Sequence, residues 1–563
     1  MFIHRRLAAV FALASATTLQ LGASANPAFE KFVDEYCTSG FKWSPNSATE
    51  LGVHDYDREL NTKSKAAIEQ RIVEVKAERD ALQSFDTSTL TKDETLDRQL
   101  VLGSLNSELL ELESIQGWKH NPDSYSSSAS SDIFALIKRN FAAPEERLRD
   151  VIARESKIPE LLANGKQNLE ACPKIYTEVA LEQLPGTIDF FTNAVPNAFH
   201  NVGTASEQAA FASTNDKTIA ALKDYQQFLK TEILPKAVDH FAIGKENYQK
   251  KLAYEEMVDE PVEILLERGN KELKRLQKAF VDTAKMIDAR KDPREVYATV
   301  SSDHPKPDQL LSSVNDVLST LRDQSLAVVT IPAEQKLMVQ ETPPFLRALT
   351  FASMDAPGPL ETKAKEAYYQ VTLPEKNWSA KRTEEHMRSF CKDDLINTGV
   401  HEAYPGHYVQ GLWMRQAPTK VRKLSWCGTN SEGWAHYCEE MMADETHADP
   451  KLRMVQIHDA LLRASRYIVG IRMHTQGMTM DEARKFFVEE GYQEAANADR
   501  ETKRGTMDPT YLVYTLGKLQ ILQLRDDYKK AKGDQYSLKA FHDAFLAQGC
   551  APIKLVRQAL LEQ

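Results

Sequence analysis

The chain of 563 residues is poor in cysteine, and its six cysteines never pair at close spacing. Cys37, Cys172, Cys391, Cys427, Cys438 and Cys550 are too few for a disulfide scaffold. No CxxC occurs, which excludes a cysteine zinc knuckle and a dithiol redox motif. Cys391, Cys427 and Cys438 lie near the motifs described below, and two readings stay open for them: a bridge bracing that region, or buried thiols. GxSxG and Gly-rich phosphate loops are also missing, which removes the commonest serine-hydrolase and nucleotide-binding readings. There is no Gly/Ser linker, low-complexity tract or clear repeat, so one large unit is the economical expectation. Positive charge is not in excess: 70 Lys and Arg face 81 Asp and Glu, a net charge of −11. That balance argues against nucleic acid or an anionic membrane as a partner.

Beyond the N-terminus no apolar run is long enough to cross a membrane. The N-terminus itself, MFIHRRLAAVFALASATTLQLGASA, has the form of a secretory leader. Arg5 and Arg6 supply the positive end, Leu7 to Ala14 an apolar stretch, and Ala23-Ser24-Ala25 a small-residue cleavage site. The expectation is a mature chain starting near Asn26, exported to the periplasm or outside. Its charge is −13 once Arg5 and Arg6 leave the −11 of the whole. No cysteine stands at the cleavage site, so no lipid anchor is expected there.

The pattern that follows is helical almost throughout. Leu102, Leu105, Leu109 and Leu112 recur at three and four residues, as do Ile219, Leu222, Tyr225, Leu229 and Ile233. Such stripes are core faces. Ser213, Thr214 or Asn215 is expected to cap the second helix, and Pro235 to end it. Pro261 marks the start of another helix. Between about 325 and 375 the pattern changes: SLAVVTIP, QKLMVQETPP and AYYQVTLPE are short, β-branched or aromatic, and interrupted by proline. These predict a few strands in one small sheet. The fold class expected is therefore mainly α with a small β-sheet beside the motif that follows. Residues 26–255 form an N-terminal helical region and 256–563 the region carrying the chemistry, the two integrated as one unit.

HEAYPGHYVQ, residues 401–410, opens like the zinc-protease motif HExxH, but its second histidine arrives two residues late. In a regular helix a spacing of four separates side chains by about 40° around the axis, and a spacing of six by about 120°. Two imidazoles six apart on a straight helix do not meet on one ion. Pro405 lacks the N–H that would bond to the His401 carbonyl, and Gly406 admits backbone shapes closed to other residues. The pair licenses a bulge or bend that brings His407 back. A second cluster, SEGWAHYCEEMM at 431–442, places Glu432, His436 and Glu439 on one helix face. His401, His407 and Glu432 then make the two-imidazole, one-carboxylate set of a catalytic zinc, with Glu402 as general base. His436 and Glu439 stand behind as supporting groups.

HEAYPGHYVQ followed by SEGWAHYCEE resembles the bacterial family called domain of unknown function 885. HFAIGKENYQKKL, YYQVTLPE and AANADRETKRGTMDPTYLVYTLGKLQILQLR extend the likeness over most of the chain. The resemblance implies a helical, gluzincin-type zinc peptidase in which HExxH has become HExxPGH, with the same four residues at the ligand and base positions. Gluzincins draw an oxyanion donor from outside the zinc motif. Tyr514 and His474 are the candidates, with Tyr511 a further one. Arg466, Arg472, Arg500 and Arg504 cluster in the same third of the chain, and one of them could hold a substrate carboxylate. The expected function is a secreted peptidase with one Zn2+ per chain acting on peptides or short oligopeptides. The alternatives are another metal-dependent amide or ester hydrolase, or an exported metal-binding protein without catalysis. A base beside the open coordination position favours a hydrolase.

Overall fold

The computed structural model describes residues 25–562 apart from 334–335, 344–346 and 348–350. The expected leader lies almost wholly outside these. The chain is mainly helical with one three-stranded sheet, as the periodicity implies. Among the described residues no helix is long and apolar enough to cross a membrane.

The leucine stripes are buried as expected. Leu105, Leu109 and Leu112 are interior, as are Leu222, Tyr225 and Leu229. One apolar core holds Tyr125, Ile133, Leu161, Phe191, Leu222 and Tyr225. Another runs from Phe29, Val75 and Leu105 through Leu318 and Tyr369 to Val400, Trp434 and Phe545. Segments before residue 110 thus share a core with the motif region.

Two local expectations need correction. The helix expected to start near residue 214 starts at Ala205, where Thr204 and Glu207 close a reciprocal capping box. Thr214 and Asn215 sit inside it and bond the buried Glu155 at 3.0 Å each. SLAVVTIP is not a strand. Its backbone is held by side chains of the Leu538–Leu546 helix and the residues beside it: His542 bonds the Val328 carbonyl at 2.8 Å, and Asp543 accepts the Thr330 N–H at 2.8 Å. Those contacts satisfy backbone groups that a strand would have paired.

The sheet contains β1 (Lys336–Glu341), β2 (Ala352–Asp355) and β3 (Glu366–Val371) in the order β1-β3-β2. β1 runs parallel to β3, and β2 antiparallel to it. β3 is buried for most of its length. β2 carries Met354 to the C-terminal end of the Lys392–Glu402 helix.

Two long helices complete the frame. Gly428–Glu445 begins under the buried carboxylate of Glu256, which accepts N–H bonds from Gly428 and Thr429 at 3.1 and 2.7 Å. It crosses Val513–Lys532 at glycines: a Cβ on Gly433 would stand 2.5 Å from the Gly517 Cα, and one on Gly517 1.9 Å from the Thr429 carbonyl oxygen. Only residues without a side chain allow the two backbones to touch there. The contact sets Glu432, next to Gly433, against Tyr514, one turn before Gly517.

All six cysteines are free and buried, so of the two readings of Cys391, Cys427 and Cys438 the structure takes the thiols. Cys391 caps the Lys392–Glu402 helix, its sulfur 3.4 Å from the Asp394 N–H.

Candidate metal centre

His401 lies on the last turn of the Lys392–Glu402 helix. The bulge expected after it is a full break. The N–H groups of Ala403 and Tyr404 both turn to the Gly399 carbonyl, at 2.9 and 3.1 Å, and Gly406 N–H reaches back to Val400 at 3.0 Å. A new helix, His407–Met414, then opens on His407 itself. Gly406 is needed because a Cβ would lie 1.8 Å from the His401 carbonyl oxygen; its φ is −67°, so close approach and not a left-handed backbone excludes other residues. The buried Trp434 indole donates to the Pro405 carbonyl at 2.9 Å and fixes this loop to the Gly428–Glu445 helix.

The break brings the two rings together. Their centroids are 4.9 Å apart and their planes nearly perpendicular. Glu432 Oε2 lies 3.5 Å from His401 Nε2 and 3.4 Å from His407 Nε2. One ligand atom from each of the three residues falls within 4.8 Å of the others, a spacing that could hold a metal ion. Glu432 Oε2 is buried yet makes no hydrogen bond. A buried carboxylate oxygen without a donor is costly, and a cation among the three side chains would satisfy it.

Behind His401 stands Glu439. Its Oε1 accepts from His401 Nδ1 at 2.6 Å and from Arg463 at 2.9 Å, and its Oε2 faces His436 Nδ1 at 3.2 Å. A carboxylate on Nδ1 fixes the tautomer and leaves Nε2 with its lone pair toward Glu432 and His407. Burial lowers the His401 pKa, but the neighbouring Glu432 and Glu439 carboxylates outweigh it and carry the ring up to about 9, the same pull toward positive charge at Nε2 that an ion there would answer. Burial alone would raise Glu439; the charge of Arg463 and its histidine partners hold it well below the ordinary carboxylate range. His436 is pushed down to about 4, chiefly by burial, and is a neutral ring. The cluster therefore favours a positive charge at the point where the three ligand atoms converge.

Glu402 follows His401 but faces a different neighbour. Its Oε2 accepts the Met354 N–H of β2 at 2.9 Å, so the sheet fixes its carboxylate.

Tyr514 joins this group. Its ring lies nearly parallel to His401 at 6.4 Å, and its hydroxyl oxygen accepts from Arg504 at 3.1 Å. Burial first, and then the charge of Glu432, raise its pKa above the ordinary value despite Arg504 and Arg466. The hydroxyl keeps its proton, and with Arg504 on the oxygen that proton is free to be donated.

The other candidate donors are placed elsewhere. His474 is an interior ring engaged at both nitrogens, by the Gly505 carbonyl at 2.7 Å and the Ile243 N–H at 3.4 Å, between Phe241 and Tyr248. Tyr511 packs among Val469, Met473 and Phe487. Of the four arginines, Arg466 is paired bidentately with Glu501 at 2.6 and 2.8 Å, and Arg504 holds Asp508 and Tyr514. Arg472 lies over Phe486, and Arg500 over Phe351. Arg463 was not a candidate in the sequence. It stands in an apolar stretch of the Pro450–Thr475 helix, where only tertiary contact shows that it holds Glu439.

The model of one bacterial family matches residues 45–560. The chain belongs to that family, the bacterial proteins of unknown function DUF885. Two solved structures share the fold over nearly its whole length. One, a candidate lipoprotein of unknown function from Shewanella oneidensis, is 27% identical, with a TM-score of 0.79, covering 96% of this chain and 100% of its own. The other, a candidate lipoprotein from Colwellia psychrerythraea, is 18% identical with a TM-score of 0.80, covering 95% and 98%; at that identity it attests the fold alone. No curated protein matches.

Proposed function

We propose that the chain is an exported, zinc-dependent peptidase of the gluzincin type. The observation that carries the reading is the convergence of His401, His407 and Glu432, with Glu402 next in the chain to His401 and held by Met354. The two imidazoles and one carboxylate are the ligand set of a hydrolytic zinc with one position left for water. Held by His401, His407 and Glu432, a zinc ion would supply Lewis acidity toward a water and a carbonyl. Glu402 takes the proton of the attacking water and returns it to the leaving amine. Tyr514 donates its hydroxyl proton to the oxygen on which charge develops, with Arg504 supporting that hydroxyl from behind. Glu439, itself held by Arg463, keeps the His401 ring in the ligating tautomer. The leader-like residues 1–25 and the description of the Shewanella oneidensis relative as a candidate lipoprotein support export.

The test is a peptide-library digest read by mass spectrometry, with zinc-loaded wild type beside Glu402→Gln at equal zinc content. Cleavage by the wild type that the variant lacks supports the reading. No cleavage by a zinc-replete wild type, or equal cleavage by both, overturns it.

A further inference from the structure

Arg500 is half-buried on the Ala495–Met507 helix. Its guanidinium lies 4.3 Å from the Phe351 ring centre and makes no hydrogen bond or ion pair with a described residue. The adjacent carboxylate, Glu501, is occupied by Arg466. A guanidinium withdrawn from water without a counter-charge is unfavourable, and a ligand that brings an anion removes the penalty.

Its position ties it to the centre on two sides. One turn further along the same helix face, Arg504 holds the Tyr514 hydroxyl. Phe351, on which Arg500 rests, leads directly into β2, whose Met354 holds Glu402. Arg500 thus spans the gap between the helix that supports the proton donor and the strand that supports the base.

Resting on the peptidase reading, we infer that Arg500 binds the free α-carboxylate of the peptide substrate, so that cleavage falls near the carboxyl end. One planar guanidinium with its fork open matches one carboxylate through two parallel N–H···O bonds. A phosphate would call for more donors than one arginine provides. The aromatic surroundings of Phe351, His386 and Phe390 strengthen the charge-assisted bonds by excluding water.

The probes are tetraalanine and tetraalanine amide, which differ in terminal charge. Binding is measured calorimetrically on zinc-loaded Glu402→Gln, with and without Arg500→Gln, and turnover on the chain with Glu402 intact. Tetraalanine should bind roughly 10–100-fold better than the amide, the range for charge-assisted hydrogen bonds. Arg500→Gln should erase that preference, and Arg500→Lys should restore part of it. Melting temperature and zinc content check that the variants fold. Equal binding of acid and amide, or a preference that survives Arg500→Gln, overturns the inference. Cleavage without an acid preference sinks the inference and leaves the peptidase reading standing. An Arg500-dependent acid preference without cleavage sinks the peptidase reading and leaves the carboxylate site standing. Neither binding nor cleavage of either peptide sinks both.

Discussion

His401 Nδ1 and Glu439 Oε1 stand 2.6 Å apart, and Arg463 meets the same carboxylate oxygen at 2.9 Å. Glu439→Gln keeps the shape but removes the charge that orients the ring. Zinc affinity should fall roughly 10–100-fold, as for loss of a carboxylate behind a ligating imidazole. The melting temperature should fall as well, because Arg463 is left without its buried partner. Competitive titration with a zinc chelator reads the first effect, and thermal denaturation of the zinc-free chain the second. Unchanged zinc affinity would mean that Glu439 does not orient the ligand.

His401→Ala, His407→Ala and Glu432→Ala should each strip most of the zinc, of which the wild type should carry about one per chain. Elemental analysis after gel filtration decides this. Full zinc in the His407 variant would refute the two-helix geometry, in which the break after Glu402 exists to bring that ring back.

Glu402→Gln should keep both zinc and fold while losing at least the ~10²–10⁴-fold credited to a positioned acid or base. Tyr514→Phe should lose about 10²–10³-fold, as for one oxyanion donor, with zinc retained. His474→Asn, by contrast, should act through stability and not turnover, since both ring nitrogens serve the backbone. Steady-state kinetics and melting curves on the three variants separate the roles.

Much of this site could be read in the chain itself. The two histidines, Glu402 and Glu432 follow from ligand chemistry and spacing, and Pro405 announces an irregular backbone. The distance to Tyr514 could not be read, because it depends on Gly433 and Gly517 meeting across two helices, a relation between residues 84 positions apart that no local pattern records. β2 escaped notice because four residues, Ala352 to Asp355, are too few to show alternation. SLAVVTIP looked like a strand because it is β-branched and apolar, yet Val328 and Val329 are buried in a turn whose polar groups His542 and Lys539 satisfy. His474 sits on a helix as expected, but its direction is set by packing.

Gly517→Ala should destabilise the chain by at least about 1–3 kcal/mol, the usual cost of overpacking, because the added methyl meets the Thr429 backbone and cannot be relieved by a rotamer. Zinc affinity should fall with it, since the displaced helix carries Glu432. A Tm and an affinity both equal to wild type would show that the crossing is slack.

The pH dependence has a separate source in the N-terminal helices. Burial raises Glu155 to about 7, partly offset by bonds from Asn215 and Thr214. A carboxyl raised on folding stabilises below its unfolded value, near 4.5, and loses that contribution as pH climbs through about 7. Glu155→Gln should therefore gain on the order of 1–3 kcal/mol relative to wild type at pH 8 and little at pH 4.5. Denaturant melts at the two values test the sign; a larger gain at the acid end would refute it.

The indole of Trp434 is fully buried, donates to the Pro405 carbonyl, and lies two residues beyond Glu432. The chain thereby carries its own chromophore at the hinge between the two histidines. Any ion drawing His401, His407 and Glu432 together must shift the loop that this ring grips. Capture of the ion should then appear as a change in near-ultraviolet circular dichroism, visible in the unlabelled protein and lost in Trp434→Phe.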